Sequence, residues 1–454
     1  MKFESINPFT EELIGTFDFI SDDALNNIIN KADNAQKSWA NLPIAQRATF
    51  FIKLAEIIKQ KHEELALLAT LEMGKPLAEA KLEVLKCARG CEYYAAHAAQ
   101  ILQPTTSIAD TGKTVTLTYQ PMGVVVGVFP WNFPFWQILR SAIPIVLAGN
   151  AILVKPAPNV PQSSLAIQQI INACGLPEGL IQIVFATETQ VANCIANDKI
   201  KAVTLTGSEK AGSAVASLAA KHIKKSVLEL GGSDPFIVLD DADLDETIEK
   251  AIIARFQNNG QSCIAAKRFI LHKNIAAPFL EKLAIKVAEL TCGNPMLDEV
   301  NIGPLARLDL RDKLASQVNQ SVNNGAKIYY QQSNYPTQGF FYPPTILTHI
   351  NTNCDAYYQE LFGPVLSVYE VSNDEEAIAI ANVTEFGLGA SVWSSNKERA
   401  VAIADQLECG QVFINEMVKS QPAYPFGGVK KSGYGRELGE FGLKEFCNVK
   451  SLWF

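Results

Sequence analysis

From Val124 onward the chain keeps a strand–helix rhythm that leaves few folds open. Short apolar runs at residues 124–129, 152–154, 181–185, 202–205 and 226–230 read as buried strands. Helical patterns at 135–147, 163–174 and 208–220 separate them. Strands that are apolar throughout and joined by helices predict a parallel sheet covered on both faces. A second round of the rhythm runs from Pro235 to about residue 430. Its strands are read at 236–239, 268–272, 365–371, 391–393 and 411–415, and its helices at 244–258, 275–291, 375–382 and 397–407. In the first of these helices Leu244, Ile248, Ile252 and Phe256 form one apolar stripe.

Upstream of that rhythm, residues 22–100 read as helical, with apolar spacings at 32–39, 45–62 and 63–70. A turn at Asp110-Thr111-Gly112-Lys113 joins strand-like residues 105–107 and 115–120 into a hairpin. Residues 445–454 read as a terminal strand that needs a partner edge. The 454 residues allow roughly three domain-sized units. A net charge of −8 argues against a nucleic-acid partner. The longest apolar stretches, 124–129 and 143–148, fall far short of the ~20 residues that span a bilayer. No signal-peptide region stands at the start, and nine scattered cysteines read as reduced cytoplasmic thiols. Cys87 and Cys91 lie one helical turn apart, but no second Cys or His pair completes a metal site.

One cysteine stands apart. Cys263 follows Asn259-Gly260-Gln261-Ser262, where the preceding helix stops, and Glu229 stands before Leu230-Gly231-Gly232. A thiol on a glycine-marked loop and a carboxylate at a Gly-Gly turn suggest covalent catalysis, with the carboxylate activating water. The five histidines at 62, 97, 222, 272 and 349 lie near neither, so a Cys–His pair is not offered, and His272 reads as structural.

Four further words are weak singly. In Pro130-Trp131-Asn132-Phe133-Pro134, Asn132 can offer its amide to an oxyanion or simply close a turn. Lys155, at a strand end in Lys155-Pro156-Ala157-Pro158, can reach a ribose or phosphate or be an ordinary surface lysine. Thr206-Gly207-Ser208 and Gly212 stand where a strand turns into a helix; this is not a GxGxxG, but it permits close backbone approach to a pyrophosphate. Glu360-Leu361-Phe362-Gly363-Pro364 offers a ribose acceptor and an aromatic ring, or a proline-ended turn with a core Phe.

Taken in order, with Pro425-Phe426-Gly427-Gly428, Leu71-Glu72-Met73-Gly74-Lys75-Pro76 and Lys431-Ser432-Gly433-Tyr434-Gly435-Arg436-Glu437, these words resemble the NAD(P)-dependent aldehyde dehydrogenases over nearly the whole chain. The resemblance implies the fold of that family: a Rossmann-like dinucleotide-binding domain (1–100 and 121–231), an α/β catalytic domain (232–430) and a small β oligomerisation element (101–120 and 431–454). It implies Cys263 as nucleophile, Glu229 as general base, and Asn132 with the Cys263 backbone N–H as oxyanion site. Trp131, Lys155, Pro158, Gly207, Ser208, Gly212, Glu360 and Phe362 are the implied dinucleotide contacts. Thiolate attack on an aldehyde would give a thiohemiacetal, loss of hydride to nicotinamide a thioester, and water deprotonated by Glu229 the acid. No metal is implied; a homodimer or homotetramer is.

In this family a Glu three residues after the strand-end lysine opposes a 2′-phosphate. Pro158 stands there, so NADP is expected to be accepted, with NAD as a second cofactor. Within the family, Trp136-Gln137-Ile138-Leu139-Arg140, Asn159-Val160 after Pro158, and Val429-Lys430 before Lys431 resemble the short bacterial succinate-semialdehyde dehydrogenases. Arg140, two helical turns past Asn132, is implied as the partner of a substrate carboxylate, with a structural ion pair as its other reading. There are departures. Gln257 occupies a place where some relatives carry a second substrate-binding arginine, and Ser420-Gln421-Pro422-Ala423 replaces a Ser-Asp-Pro-Arg word. The rival readings are a broad medium-chain or aromatic aldehyde dehydrogenase, an acylating enzyme that Glu229 disfavours, and a noncatalytic protein of the same fold.

Overall fold

The computed structural model describes residues 2–454. Two large sheets carry the molecule. The first has six strands in the order Gly433–Tyr434, Lys225–Glu229, Ile200–Thr206, Val124–Val128, Ala151–Lys155 and Ile181–Ile183. All are parallel except Gly433–Tyr434, which runs antiparallel to Lys225–Glu229. The Val-Val-Val start of the central strand suits a pleated surface buried on both faces. From this strand the chain first builds outward on one side, then returns to build on the other. The loops leaving Val124–Val128 and Ile200–Thr206 therefore diverge, and such a switch point opens a crevice at the carboxyl ends of the strands.

The amino-terminal helices Asp22–Ala40, Ile44–Gln60, His62–Met73 and Leu77–Ile101 pack into the core of this first unit. Ser21 caps the first of them, and Trp39 ties it to the helix Trp136–Leu147 by donating to the Val146 carbonyl at 2.6 Å. A two-stranded ribbon, Phe3–Ile6 with Leu13–Phe17, precedes them and was not legible in the sequence. Neither was the helix Glu188–Ala196, which a Thr187–Gln190 capping box opens.

The second sheet has seven strands in the order Lys327–Gln331, Thr345–Thr348, Val365–Val371, Ala266–His272, Asp234–Val238, Gly389–Trp393 and Gln411–Ile414. Only Lys327–Gln331 is antiparallel, and its largely exposed side chains explain why it lacks the apolar signature of the others. The helix Leu308–Asn323 is equally polar and unread. His272 ends its strand, with Nε2 3.0 Å from the Ser372 carbonyl, and caps the next helix.

A third sheet orders Cys447–Trp453, Thr114–Pro121 and Thr105–Ile108, all antiparallel. The hairpin and the terminal strand thus supply each other's partner within one chain. Residues 431–446 do not join this sheet: Gly433–Tyr434 extends the first sheet, and Leu438, Leu443 and Phe446 enter its core. No helix among the described residues is long and apolar enough to cross a membrane.

Candidate active site

Cys263 sits on a loop held from three directions. The helix Leu244–Phe256 stops, and Asn258, Asn259 and Gly260 follow with φ of 57°, 57° and 72°. A Cβ on Gly260 would lie 2.5 Å from the Gly363 carbonyl, so the Gly-Gln-Ser-Cys and Glu-Leu-Phe-Gly-Pro words touch through backbone alone. Arg255, fully buried, donates to the carbonyls of Val365 at 2.7 Å and Leu361 at 3.0 Å, and also to Gly363. Lys267 donates to the carbonyls of Ser262 and Cys263, both at 2.8 Å, and pairs with Glu360 at 3.0 Å. Asn258 donates to the carbonyls of Asn132 and Gln261, and its own N–H is received by the half-buried Glu79. Burial pushes the Glu79 carboxyl up to about 7.

Asn132 leaves the central strand of the first sheet, is buried, and points its amide at the same loop, donating to Gln261 O at 3.0 Å. The Cys263 backbone N–H has no acceptor among the described residues. Burial pushes the Cys263 thiol up to about 12, and the nearby charges of Arg140 and Lys267 pull the other way.

Two pockets meet at Cys263. One is a cleft at the switch point of the first sheet, lined by Trp131, Asn132, Gly207, Ser208, Glu360 and Phe362. Trp131 and Phe362 stand edge to face, 5.8 Å apart at 88°. A Cβ on Gly207 would meet only the Leu205 side chain, at 3.5 Å, and Ser208 caps the helix Glu209–Lys221, whose amino end faces the cleft. A bare backbone, a helix amino terminus and a hydrogen-bonding carboxylate suit a dinucleotide. Gly212 does not line the cleft: a Cβ there would lie 2.6 Å from Leu230, so its smallness serves helix–sheet packing. Lys155 ends the neighbouring strand Ala151–Lys155 and Pro158 lies three residues on; neither lines the cleft, and Pro158 is exposed. Burial lowers the Lys155 pKa.

The other pocket is lined by Lys86, Trp136, Gln137, Arg140, Gln257, Lys419 and Ser420 among others, and no carboxylate faces it. Arg140 is nevertheless buried and committed. Its Nε lies 2.6 Å from Glu437 Oε2, a contact made by charge rather than by an aligned hydrogen bond. Its ring-face neighbour is Phe426, 5.0 Å away, and Nη2 donates to Thr206 at 3.4 Å. The structure therefore places Arg140 in the structural ion pair that was its other reading, with its flank on the pocket. Glu437 also accepts from the Ser141 hydroxyl.

Glu229 ends its strand and is buried, and neither carboxylate oxygen has a hydrogen-bond partner among the described residues. Burial pushes its pKa well up, Glu437 adds to the rise, and Arg140 and Arg436 oppose it. A desolvated, unpartnered acid at such a place is a functional signature, since structural acids are paired.

Lys86, Lys267 and Glu437 escaped the sequence reading. Lys267 had a signal, a lysine within the uniformly buried strand Ala266–His272. Lys86 had none, because only helix packing brings it to the pocket, and Glu437 stood in the Lys431–Glu437 word with nothing to mark Arg140 as its partner. Among the described residues no cluster of three or more His, Cys, Asp or Glu is built to hold a metal.

Known proteins resemble this chain along its whole length. Residues 1–452 match the sequence model of the aldehyde dehydrogenase family. A probable NADP(+) succinate-semialdehyde dehydrogenase of Synechocystis sp. is 46% identical over 453 residues, covering 100% of both chains. An NADP(+) succinate-semialdehyde dehydrogenase of Mycobacterium ulcerans is 44% identical, again over 100% of both chains. The crystal structure of succinic semialdehyde dehydrogenase from Streptococcus pyogenes, in complex with NADP+, superposes with a TM-score of 0.97 at 36% identity, covering 100% of this chain and 99% of that one.

Proposed function

The chain belongs to the aldehyde dehydrogenase family, and from that premise we propose that it oxidises an aldehyde bearing a distal carboxylate, succinate semialdehyde, with NADP as the preferred oxidant. One observation carries the substrate reading: the pocket reaching Cys263 is walled by the basic residues Lys86, Arg140 and Lys419 and by no acid. The names of the relatives agree with it.

Cys263 is the nucleophile, attacking the carbonyl carbon from the junction of the two pockets. The Asn132 amide and the Cys263 N–H face the oxygen that becomes negative. Trp131, Gly207, Ser208, Glu360 and Phe362 would hold a dinucleotide in the cleft, and it would supply the hydride acceptor that lets the Cys263 adduct lose hydride and become a thioester. Glu229 takes a proton from the water that cleaves this thioester; its free oxygens are available to that water. Lys267 and Glu360 fix the loop, and Glu360 is placed to receive a ribose hydroxyl. Cofactor choice rests on Pro158, which sets no negative charge against a 2′-phosphate.

We assign the three-stranded sheet to self-association, as dimer or tetramer. Val449, Leu452, Trp453 and Phe454 are exposed on or beside its edge, and open apolar edges invite pairing. All nine cysteines are free, in keeping with a reducing cytoplasm. The test is a panel of succinate semialdehyde, butyraldehyde, hexanal and benzaldehyde, assayed with NADP and with NAD. The reading expects the highest kcat/KM for succinate semialdehyde with NADP. A higher value for hexanal or benzaldehyde would replace it with the broad-aldehyde reading.

A further inference from the structure

Of the three cations on the aldehyde pocket, two are already neutralised. Arg140 pairs with Glu437, and Lys419 pairs with Glu416 at 2.7 Å. Lys86 has no carboxylate within ion-pair distance among the described residues. It rises from the helix Leu77–Ile101, which is anchored one turn earlier: Glu83 accepts the N–H groups of Phe135 and Trp136 at 2.9 and 3.0 Å and pairs with Lys75. The Lys86 ammonium lies 4.5 Å from the Trp136 ring centroid and donates to the Ser420 hydroxyl oxygen at 2.6 Å. Trp136 Nε1 donates to the same oxygen at 3.1 Å. Helix, ring and hydroxyl thus hold a cation whose other N–H groups have no acceptor among the described residues.

We propose that Lys86 is the specificity-determining cation of the pocket, receiving the distal carboxylate of the substrate while Arg140 stays with Glu437. The proposal rests on the reading that the substrate is a carboxylate-bearing aldehyde, and adds which residue selects it. A half-buried ammonium with a missing counterion is destabilised in the free protein, and an incoming carboxylate removes that penalty. Burial, with Arg140 nearby, draws Lys86 down to about 7; Arg89 acts in the same direction, and Glu83 and Cys87 oppose it. Lys419 is the remaining charged group on the pocket wall. Lys86 is therefore cationic below about pH 7 and loses its charge as pH rises past that value.

The experiment measures kcat/KM for succinate semialdehyde and for butyraldehyde, from pH 6 to 9, in wild type, Lys86→Met and Lys86→Arg. In wild type the ratio of the two constants should fall as pH rises through about 7. Lys86→Met should cut the succinate semialdehyde constant about 10- to 100-fold, the loss of one charge-assisted hydrogen bond. It should spare butyraldehyde and flatten the pH dependence of the ratio, and Lys86→Arg should restore most of the preference. A preference that survives in Lys86→Met, or an equal loss on both aldehydes, overturns the role of Lys86 and leaves the substrate reading standing. A wild type that does not distinguish the two aldehydes at pH 6 overturns the substrate reading, and the proposal with it. The wild-type pH dependence needs no variant to fold.

Discussion

Arg140 and Glu437 form a buried ion pair at 2.6 Å, and both act electrostatically on Glu229. The pair joins the helix Trp136–Leu147 to the Glu437 segment that closes over the first sheet. Arg140 also lines the aldehyde pocket, so one side chain touches both the pocket and the field at the proposed base. Arg140→Ala would strand the Glu437 charge in the interior, at a cost of about 3–5 kcal/mol. The expected result is a lowered Tm and a loss of kcat for charged and uncharged aldehydes alike. Were only succinate semialdehyde affected, with Tm unchanged, Arg140 would be a substrate ligand after all.

Glu437→Gln should shift the acidic limb of the pH–kcat profile to lower pH. The base must be a carboxylate, and Glu229 has a raised pKa to which burial contributes most and Glu437 second. Removing the Glu437 charge removes that repulsion, and freed Arg140 adds attraction, so Glu229 remains ionised further into acid. A limb displaced toward higher pH would contradict this coupling.

Alkylation of Cys263 by iodoacetamide in the dinucleotide-free protein should rise about tenfold per pH unit, without levelling before pH 9. Burial pushes this thiol up to about 12, and only the thiolate reacts. Mass spectrometry of the Cys263 peptide reads the rate directly. A plateau near neutral pH would mean that Arg140 and Lys267 outweigh desolvation.

Pro158→Glu should weaken NADP without weakening NAD. A carboxylate set against the 2′-phosphate costs on the order of a few kcal/mol. Fluorescence titration with each reduced dinucleotide gives the two affinities. Equal NADP affinity in variant and wild type would move the 2′-phosphate away from residue 158.

Removal of residues 448–454 should lower the oligomeric state or the solubility. This takes away most of the strand Cys447–Trp453 and exposes Thr114–Pro121 as a bare edge. Light scattering on intact and shortened chains decides, and an intact chain that is monomeric would sink the assignment of this sheet to self-association.

Local sequence determined much of this protein. Uniformly apolar strands announced two parallel sheets, because a strand covered on both faces has no polar side to show. Glycine words marked Gly260 and Gly363, where backbones must touch, and thereby singled out Cys263. Exposed pieces such as Lys327–Gln331 carried no such pattern and stayed invisible. Charge partnership was decided only by tertiary structure. Arg140 was read as a partner for a substrate carboxylate, with a structural ion pair as the other reading, until helix Trp136–Leu147 met Glu437 of the returning chain. Lys86 had no meaning until packing brought its helix to Trp136 and Ser420. Burial and pairing depend on neighbours remote in sequence, and they alone decide which cation on the pocket is left for a ligand.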